Sequence, residues 1–264
     1  MDSFEFSFLN LQILKIEFYV TKLDFTYYNM EHHTESTISN QYSLSIRIGS
    51  DGFSLSIIDD SNTLLSTKIV ATVLALLSIE EIVILINKET EINYRNIRLV
   101  YESDIYQFVP APVFRSNEAA DYLNFQHKTT KNDIILFNYL PIWDTVNIFS
   151  IPKTIQTALN QIFPNTIIEQ HISYFLTTKV KTHHDNSLYI WTRPKMMDIV
   201  VFKNGKLNLL NSYAYQTAED FTYHALNIID KLSIDTDSCK LNLFNAEKKP
   251  ELQKTLEKYL AVNV

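Results

Sequence analysis

Two short cationic turns hold the residues of this chain best suited to bind an anion. In Arg47-Ile48-Gly49-Ser50-Asp51-Gly52 a guanidinium, a hydroxyl and two glycines fall together. Glycine lets backbone amides approach an anion closely, and the guanidinium supplies counter-charge. Arg193-Pro194-Lys195 is the second such turn. Each has a plain structural reading beside the chemical one, because a glycine-bearing hairpin turn and a solvated basic turn are expected at such places whatever the function. Other groupings carry less. His183-His184-Asp185 and His32-His33 hold metal-ligating types, but adjacent residues of an extended segment point to opposite faces and do not converge on one ion. The spacings His-Glu-x-x-His, Cys-x-x-Cys, Gly-x-Ser-x-Gly and Gly-x4-Gly-Lys-Ser/Thr are all missing, and no catalytic or metal-ligating set is expected.

The elements that must carry these turns are legible in the hydrophobic pattern. Leu44, Ile46 and Ile48 alternate with Ser43, Ser45 and Arg47, and Phe53, Leu55 and Ile57 alternate with Ser54 and Ser56. Two strands joined at Gly49-Ser50-Asp51-Gly52 follow, with a third near Thr63 to Thr67 and a helix over Val70 to Lys88. The order recurs later: strands at Ser187 to Thr192, Asp198 to Lys203 and Lys206 to Tyr213, with Asn204-Gly205 as the hairpin turn between the last two. Thr217 then caps a helix to Lys231 with Asp220 as its capping-box partner, and a strand at Lys240 to Phe244 and a Pro250-initiated helix finish the chain. Between the two series lie a strand near Ile97 to Tyr101, a helix from Asn117 to Gln126, strands around Ile134 to Phe137 and Val146 to Ser150, and helices after Pro152 and His171. A three-stranded meander followed by helix and strand units, occurring twice, predicts an α/β protein of two related halves. The boundaries read as a poorly defined arm over 1–38, a first half over 39–184 with a small strand-helix insertion, and a second half over 185–264.

Composition narrows the function classes. Acidic residues outnumber basic ones by 30 to 23, a net charge of −7, which disfavours nucleic acid and anionic membranes as partners. The single Cys239 has no partner for an internal disulfide and fits a reducing compartment, so a cytoplasmic location is expected. Met1-Asp2-Ser3-Phe4-Glu5-Phe6 carries acids where a secretion signal needs positive charge, and Met30 would serve equally as a start. Ile69 to Ile86, the longest apolar stretch, is broken by Glu80 and Glu81, so no membrane span is expected.

Leu44 to Ile58, Asp198 to Leu207 and Thr217-Ala-Glu-Asp-Phe-Thr-Tyr223 resemble a Bacteroidetes family, domain of unknown function 3822, from about residue 40 onward. That family is similar in fold to the actin-like ATPases, so the resemblance implies a duplicated RNase H-like/actin-like ATPase fold. Working members of that superfamily carry an Asp-x-Gly-Thr/Ser phosphate loop after the first strand and an Asp-x-Gly-Gly loop opening the second half. Here Gly49 and Ser50 match the first loop, but Arg47 stands where the aspartate belongs. Trp191-Thr192-Arg193-Pro194-Lys195 has no glycine, and the next acid is Asp198. An arginine repels the Mg²⁺ that a carboxylate would hold, and proline removes a backbone amide.

What remains of cofactor-binding loops is therefore Arg47, Gly49, Ser50, Arg193 and Lys195. No cofactor is expected, with ATP or ADP as the alternative. The expected function is a non-catalytic, pseudo-ATPase scaffold that binds an unidentified protein partner. The alternative is a nucleotide-binding switch with a metal-independent cleft built on Arg47, Ser50 and Lys195. An RNase H-like nuclease would need a carboxylate at the position of Arg47. Tyr213, Tyr215, Phe221 and Tyr223 form a second candidate contact surface, with burial between helix and sheet as the plain reading.

Overall fold

The computed structural model describes residues 42–61, 63–90, 94–180, 186–193, 195–235, 239–244, 250–260 and 262–263. All belong to one compact unit, Ile38–Val264. The predicted arm over 1–38 and the His32-His33 and His183-His184-Asp185 groups lie outside the described residues.

The chain opens with a meander of β1 (Ser43–Gly49), β2 (Gly52–Ile58) and β3 (Leu64–Ala71), paired antiparallel with Gly49 opposite Gly52. Leu44, Ile46 and Ile48 are buried while Ser43, Ser45 and Arg47 are only partly so, as period-two alternation demands. Helix α1 (Ile79–Glu89) follows, started by a complete capping box between Ser78 and Glu81. β4 (Asn96–Tyr101) then returns parallel to β1. The expected helix over Val70 to Lys88 is thus shorter, because Ile69, Val70 and Ala71 extend β3 against β2. An apolar run of that length satisfies either period, and pairing with β2 decides it.

An insertion follows β4. β5 (Tyr106–Pro110), helix α2 (Ala119–Gln126), β6 (Asp133–Leu140) and β7 (Thr145–Pro152) form a three-stranded sheet in the order β5-β7-β6 with α2 packed on it. Leu123, Val109, Val146 and Ile148 make its small core. Helix α3 (Lys153–Ile162) leads to β8 (Ile168–Gln170), which pairs parallel with β4 and completes a first five-stranded sheet of order β3-β2-β1-β4-β8. Helix α4 (His171–Thr178) begins directly at its end.

The second series repeats this order. β9 (Asn186–Arg193), β10 (Met196–Lys203) and β11 (Lys206–Ala214) form the meander, and α5 (Ala218–Lys231) follows with the predicted Thr217–Asp220 capping box. β12 (Lys240–Phe244) runs parallel to β9, α6 (Pro250–Leu256) follows, and β13 (Val262–Asn263) runs parallel to β12. The resulting order, β11-β10-β9-β12-β13, matches the first sheet strand for strand. One core lies against each sheet, around Ile46, Leu55, Ile82 and Leu159 in the first and around Ile190, Ile199, Phe221 and Leu252 in the second. A third cluster joins them: Phe175 of α4 packs against Trp191 at 4.9 Å and Phe244 at 5.3 Å.

Candidate functional site at the two hairpin turns

The parallel register of β1 and β4 sets Ile48 beside Tyr101, so the residue after β4 arrives at the first hairpin turn. That residue is Glu102. Its amide donates to the Ile48 carbonyl at 2.8 Å, and its carboxylate takes both faces of the Arg47 fork, Nε at 2.6 Å and Nη2 at 2.9 Å. The Glu102 side chain is 4% exposed. Asp51 adds a longer contact to Arg47 Nη2 at 3.5 Å. Gly49 stands where a Cβ would fall 2.8 Å from both the Asp51 and Glu102 carboxylates and 3.2 Å from Arg47 Nη2. Its missing side chain makes room for this ion cluster. Gly52, at φ +128°, is held where a Cβ would strike the Val70 carbonyl.

At the second turn the partner comes from within the same hairpin. Arg193 ends β9, and Asp198 lies on the adjoining strand β10. The guanidinium grips Asp198 through Nε at 2.6 Å and Nη2 at 2.9 Å, and its Nη1 reaches Asp104, just past β4, at 3.1 Å. Asp198 is wholly buried. It also accepts from the Ser212 hydroxyl at 2.5 Å, and that hydroxyl meets the Tyr106 phenol at 2.7 Å. His171 Nε2 sits 3.2 Å from Asp198 Oδ2 but lacks the alignment of a hydrogen bond.

Burial alone would raise the Asp198 pKa, yet the His171 ring and the Arg193 guanidinium beside it hold the carboxyl well below its usual range. Burial likewise opposes the charge on Arg193, and Asp198 more than offsets it. The Glu102 carboxylate contributes to the same field, so the two turns share one charge cluster. The Tyr106 phenol is pushed up by burial and by Asp198, and that of Tyr101 is pushed up to about 12 by burial, Asp104 and Asp133.

Behind this cluster a polar seam ties the insertion to β8 of the first sheet and to α4. The Asn138 side chain donates to the Ile168 carbonyl at 3.0 Å and accepts from the Gln170 amide at 2.8 Å, standing in for a strand partner on β8. Gln170 Nε2 lies 2.8 Å from His171 Nδ1 and 3.0 Å from the Ser103 carbonyl, while its oxygen accepts from Asn147 at 2.8 Å.

Of the residues singled out in sequence, Arg47, Gly49 and Arg193 enter the cluster, while Ser50 and Lys195 are exposed on their turns. Lys195 adopts a left-handed conformation at φ 59°. Glu102, Asp104, His171 and the partnership of Asp198 were not legible. A signal for the last existed: a lone acid opening the apolar run Asp198-Ile-Val-Val-Phe202 must be paired once that run is buried. Among the aromatics, Tyr215 and Phe221 are buried edge to face at 5.4 Å, whereas Tyr223 is exposed. Cys239 is partly buried, which pushes its thiol up. Among the described residues no group of three or more His, Cys, Asp and Glu is placed to hold a metal, and no helix is long and apolar enough to cross a membrane.

Residues 31–262 match the family model for proteins of unknown function termed DUF3822. No curated protein matches the chain. Among solved structures, a Bacteroides thetaiotaomicron protein with actin-like ATPase fold and unknown function is 26% identical, with a TM-score of 0.70 over 88% of this chain and 93% of that one. The PilM–PilN type IV pilus biogenesis complex shares the fold at 12% identity and a TM-score of 0.50, covering 84% of this chain and 90% of that one. The matched strand order of the two sheets and the likeness of the whole agree, and the chain belongs to the DUF3822 family, with an actin-like ATPase fold.

Proposed function

We propose that this protein is a non-catalytic scaffold that binds another protein, the arginines of its two hairpin turns being committed to carboxylates of the same chain. The observation that carries this reading is the pairing of both turn arginines with carboxylates of the same chain, Arg47 with Glu102 and Arg193 with Asp198 and Asp104. Four carboxylates, with Asp51, face two guanidinium groups there, a surplus of negative charge. A nucleotide phosphate would have to displace a buried Glu102 from Arg47 and then sit against Asp51, which leaves two anions where one cation served. These residues do not fit a nucleotide phosphate or its Mg²⁺, and no cofactor enters the reading.

The PilM–PilN complex of type IV pilus biogenesis, a complex of two proteins that shares the fold, supports an interaction reading. The net charge of −7 argues against nucleic acid or an anionic membrane as the partner, and the lone Cys239 agrees with a reducing, cytoplasmic setting.

Thermal melting with and without millimolar ATP or ADP and Mg²⁺ tests the reading. A ligand at about 100 times its Kd stabilises by about 2.7 kcal/mol. The expected result is an unchanged melting temperature. A rise of that size, abolished by Arg47→Ala, would establish the nucleotide switch instead.

A further inference from the structure

The insertion carries a surface apart from the residues paired at the two hairpin turns. Asp121, Tyr122 and Phe125 on α2, with its N-cap residue Glu118, recur at the i, i+3, i+4, i+7 spacing of one helical face, while Ala119 and Leu123 serve its core. Beside them Gln107 and Val109, two apart on β5, share one face of that strand. These six residues line a cavity of about 270 Å³. That is below the size of small-molecule sites, which begin at about 300 Å³, and suits one long side chain.

The positive end of the helix dipole accounts for carboxylates in the first turn of α2. It leaves Phe125 unaccounted for, an aromatic ring 88% exposed at the wall of the cavity. Aromatic rings and carboxylates on one concave face match the chemistry of an organic cation, since ring faces attract it and carboxylate oxygens accept its N–H groups. The site already handles a guanidinium: Arg115 Nη1 lies 3.3 Å from Glu118, whose other oxygen accepts from the Tyr122 hydroxyl at 3.1 Å. Asp121 has no ion pair among the described residues. Strand addition is disfavoured here. The outward carbonyls of β5 are taken, Tyr106 by His127 Nε2 at 3.0 Å and Phe108 by the Gln107 side chain at 3.2 Å.

We propose that the groove between α2 and β5 docks an arginine-bearing segment of a partner protein, the stem lying along Tyr122 and Phe125 and the guanidinium meeting Asp121 and Glu118. Arginine fits better than lysine because its planar head stacks on rings and binds carboxylates in a fork. The acidic net charge of the chain favours the same partner. The proposal names a partner chemistry for the interaction reading, yet it uses none of the cleft residues, so either can fail alone.

The test titrates the isotopically labelled full chain with acetyl-Gly-Arg-Gly-amide, followed by NMR, against the same peptide carrying citrulline, the neutral isostere of arginine. The expected result is saturable shifts at Gln107, Asp121, Tyr122 and Phe125, with about tenfold weaker binding of the citrulline peptide and of the arginine peptide to Asp121→Asn, the worth of one charge-assisted contact. Phe125→Ala, a change at an exposed position, weakens binding while the remaining spectrum is unchanged. Equal responses to arginine and citrulline, shifts confined to other surfaces, or no shifts at all overturn the proposal. A nucleotide-induced melting shift, by contrast, would remove the scaffold reading of the cleft and leave groove binding as it stands.

Discussion

Replacing Arg193 with methionine keeps the length and apolar bulk of the stem and removes the charge that faces Asp198. Asp198 is wholly buried, and the bidentate contacts at 2.6 and 2.9 Å compensate its charge together with the His171 ring and the Ser212 hydroxyl. Breaking a buried pair from one side costs about 3–5 kcal/mol, because the remaining charge is stranded. The second link, to Asp104, adds little: that carboxylate is 59% exposed, and exposed pairs contribute about 0–1 kcal/mol. For a folded unit of this size 1 kcal/mol moves the melting temperature by about 2–4 °C, so Arg193→Met should lower it by about 6–20 °C. Asp104→Asn should lower it by less than about 4 °C. The double variant Arg193→Met with Asp198→Leu should recover most of the loss, since apolar groups of similar size replace a buried pair at little cost. Acid sharpens the comparison. The folded-state pKa of Asp198 is depressed, so its contribution is complete above the unfolded value of about 3.9 and is lost as pH falls below it. The native protein should therefore lose stability below about pH 4 more steeply than the double variant. Calorimetric melting at several pH values reads both effects. A fall of less than about 3 °C for Arg193→Met, or an equal fall for Asp104→Asn, would refute the assignment of Asp198 as the structural partner.

Gly52→Ala, forced into a positive φ with its methyl against the Val70 carbonyl, should cost more than about 3 kcal/mol and give little soluble protein. Gly49→Ala meets side-chain ends of Asp51, Glu102 and Arg47 rather than backbone and should cost less than Gly52→Ala, which comparative melting will show. Thr217→Ala removes one side of the capping box of α5 and should cost about 1 kcal/mol in denaturant unfolding, with an unchanged m-value. The raised pKa of Tyr101 contributes stability that is complete below the unfolded value of about 10 and is lost as pH rises through about 12. Tyr101→Phe should accordingly flatten the alkaline limb of the stability curve and remove the phenol that ionises near pH 12 in ultraviolet titration.

The duplicated architecture was legible because its signals are local. Alternation along Leu44 to Ile48, the Asn204-Gly205 turn and the Thr217–Asp220 box each act within a few residues, and the order of the elements alone revealed the repeat. The pairings of Arg47 with Glu102 and of Arg193 with Asp104 were not legible, since they join distant stretches of chain. Arg47 meets Glu102 at a separation of 55 residues and Arg193 meets Asp104 at 89, distances over which no periodicity in one sequence speaks. The family resemblance implies that Arg47 stands at the position of an aspartate in working members of the superfamily. The sequence could not say that a glutamate just past the neighbouring parallel strand had come to neutralise it, and that pairing changes the meaning of the substitution. An unpaired arginine at that turn would invite a phosphate, whereas an arginine held in a bidentate grip by a nearly buried carboxylate repels one and joins the first hairpin to β4. At Arg193 the pairing goes further, because its partner Asp198 also takes the Ser212 hydroxyl, which meets the Tyr106 phenol, so strands of the second sheet and of the insertion converge on one carboxylate. On the scaffold reading proposed above, ion pairs take up the arginines of both hairpin turns, and a partner would meet the outer surfaces, the α2 groove among them.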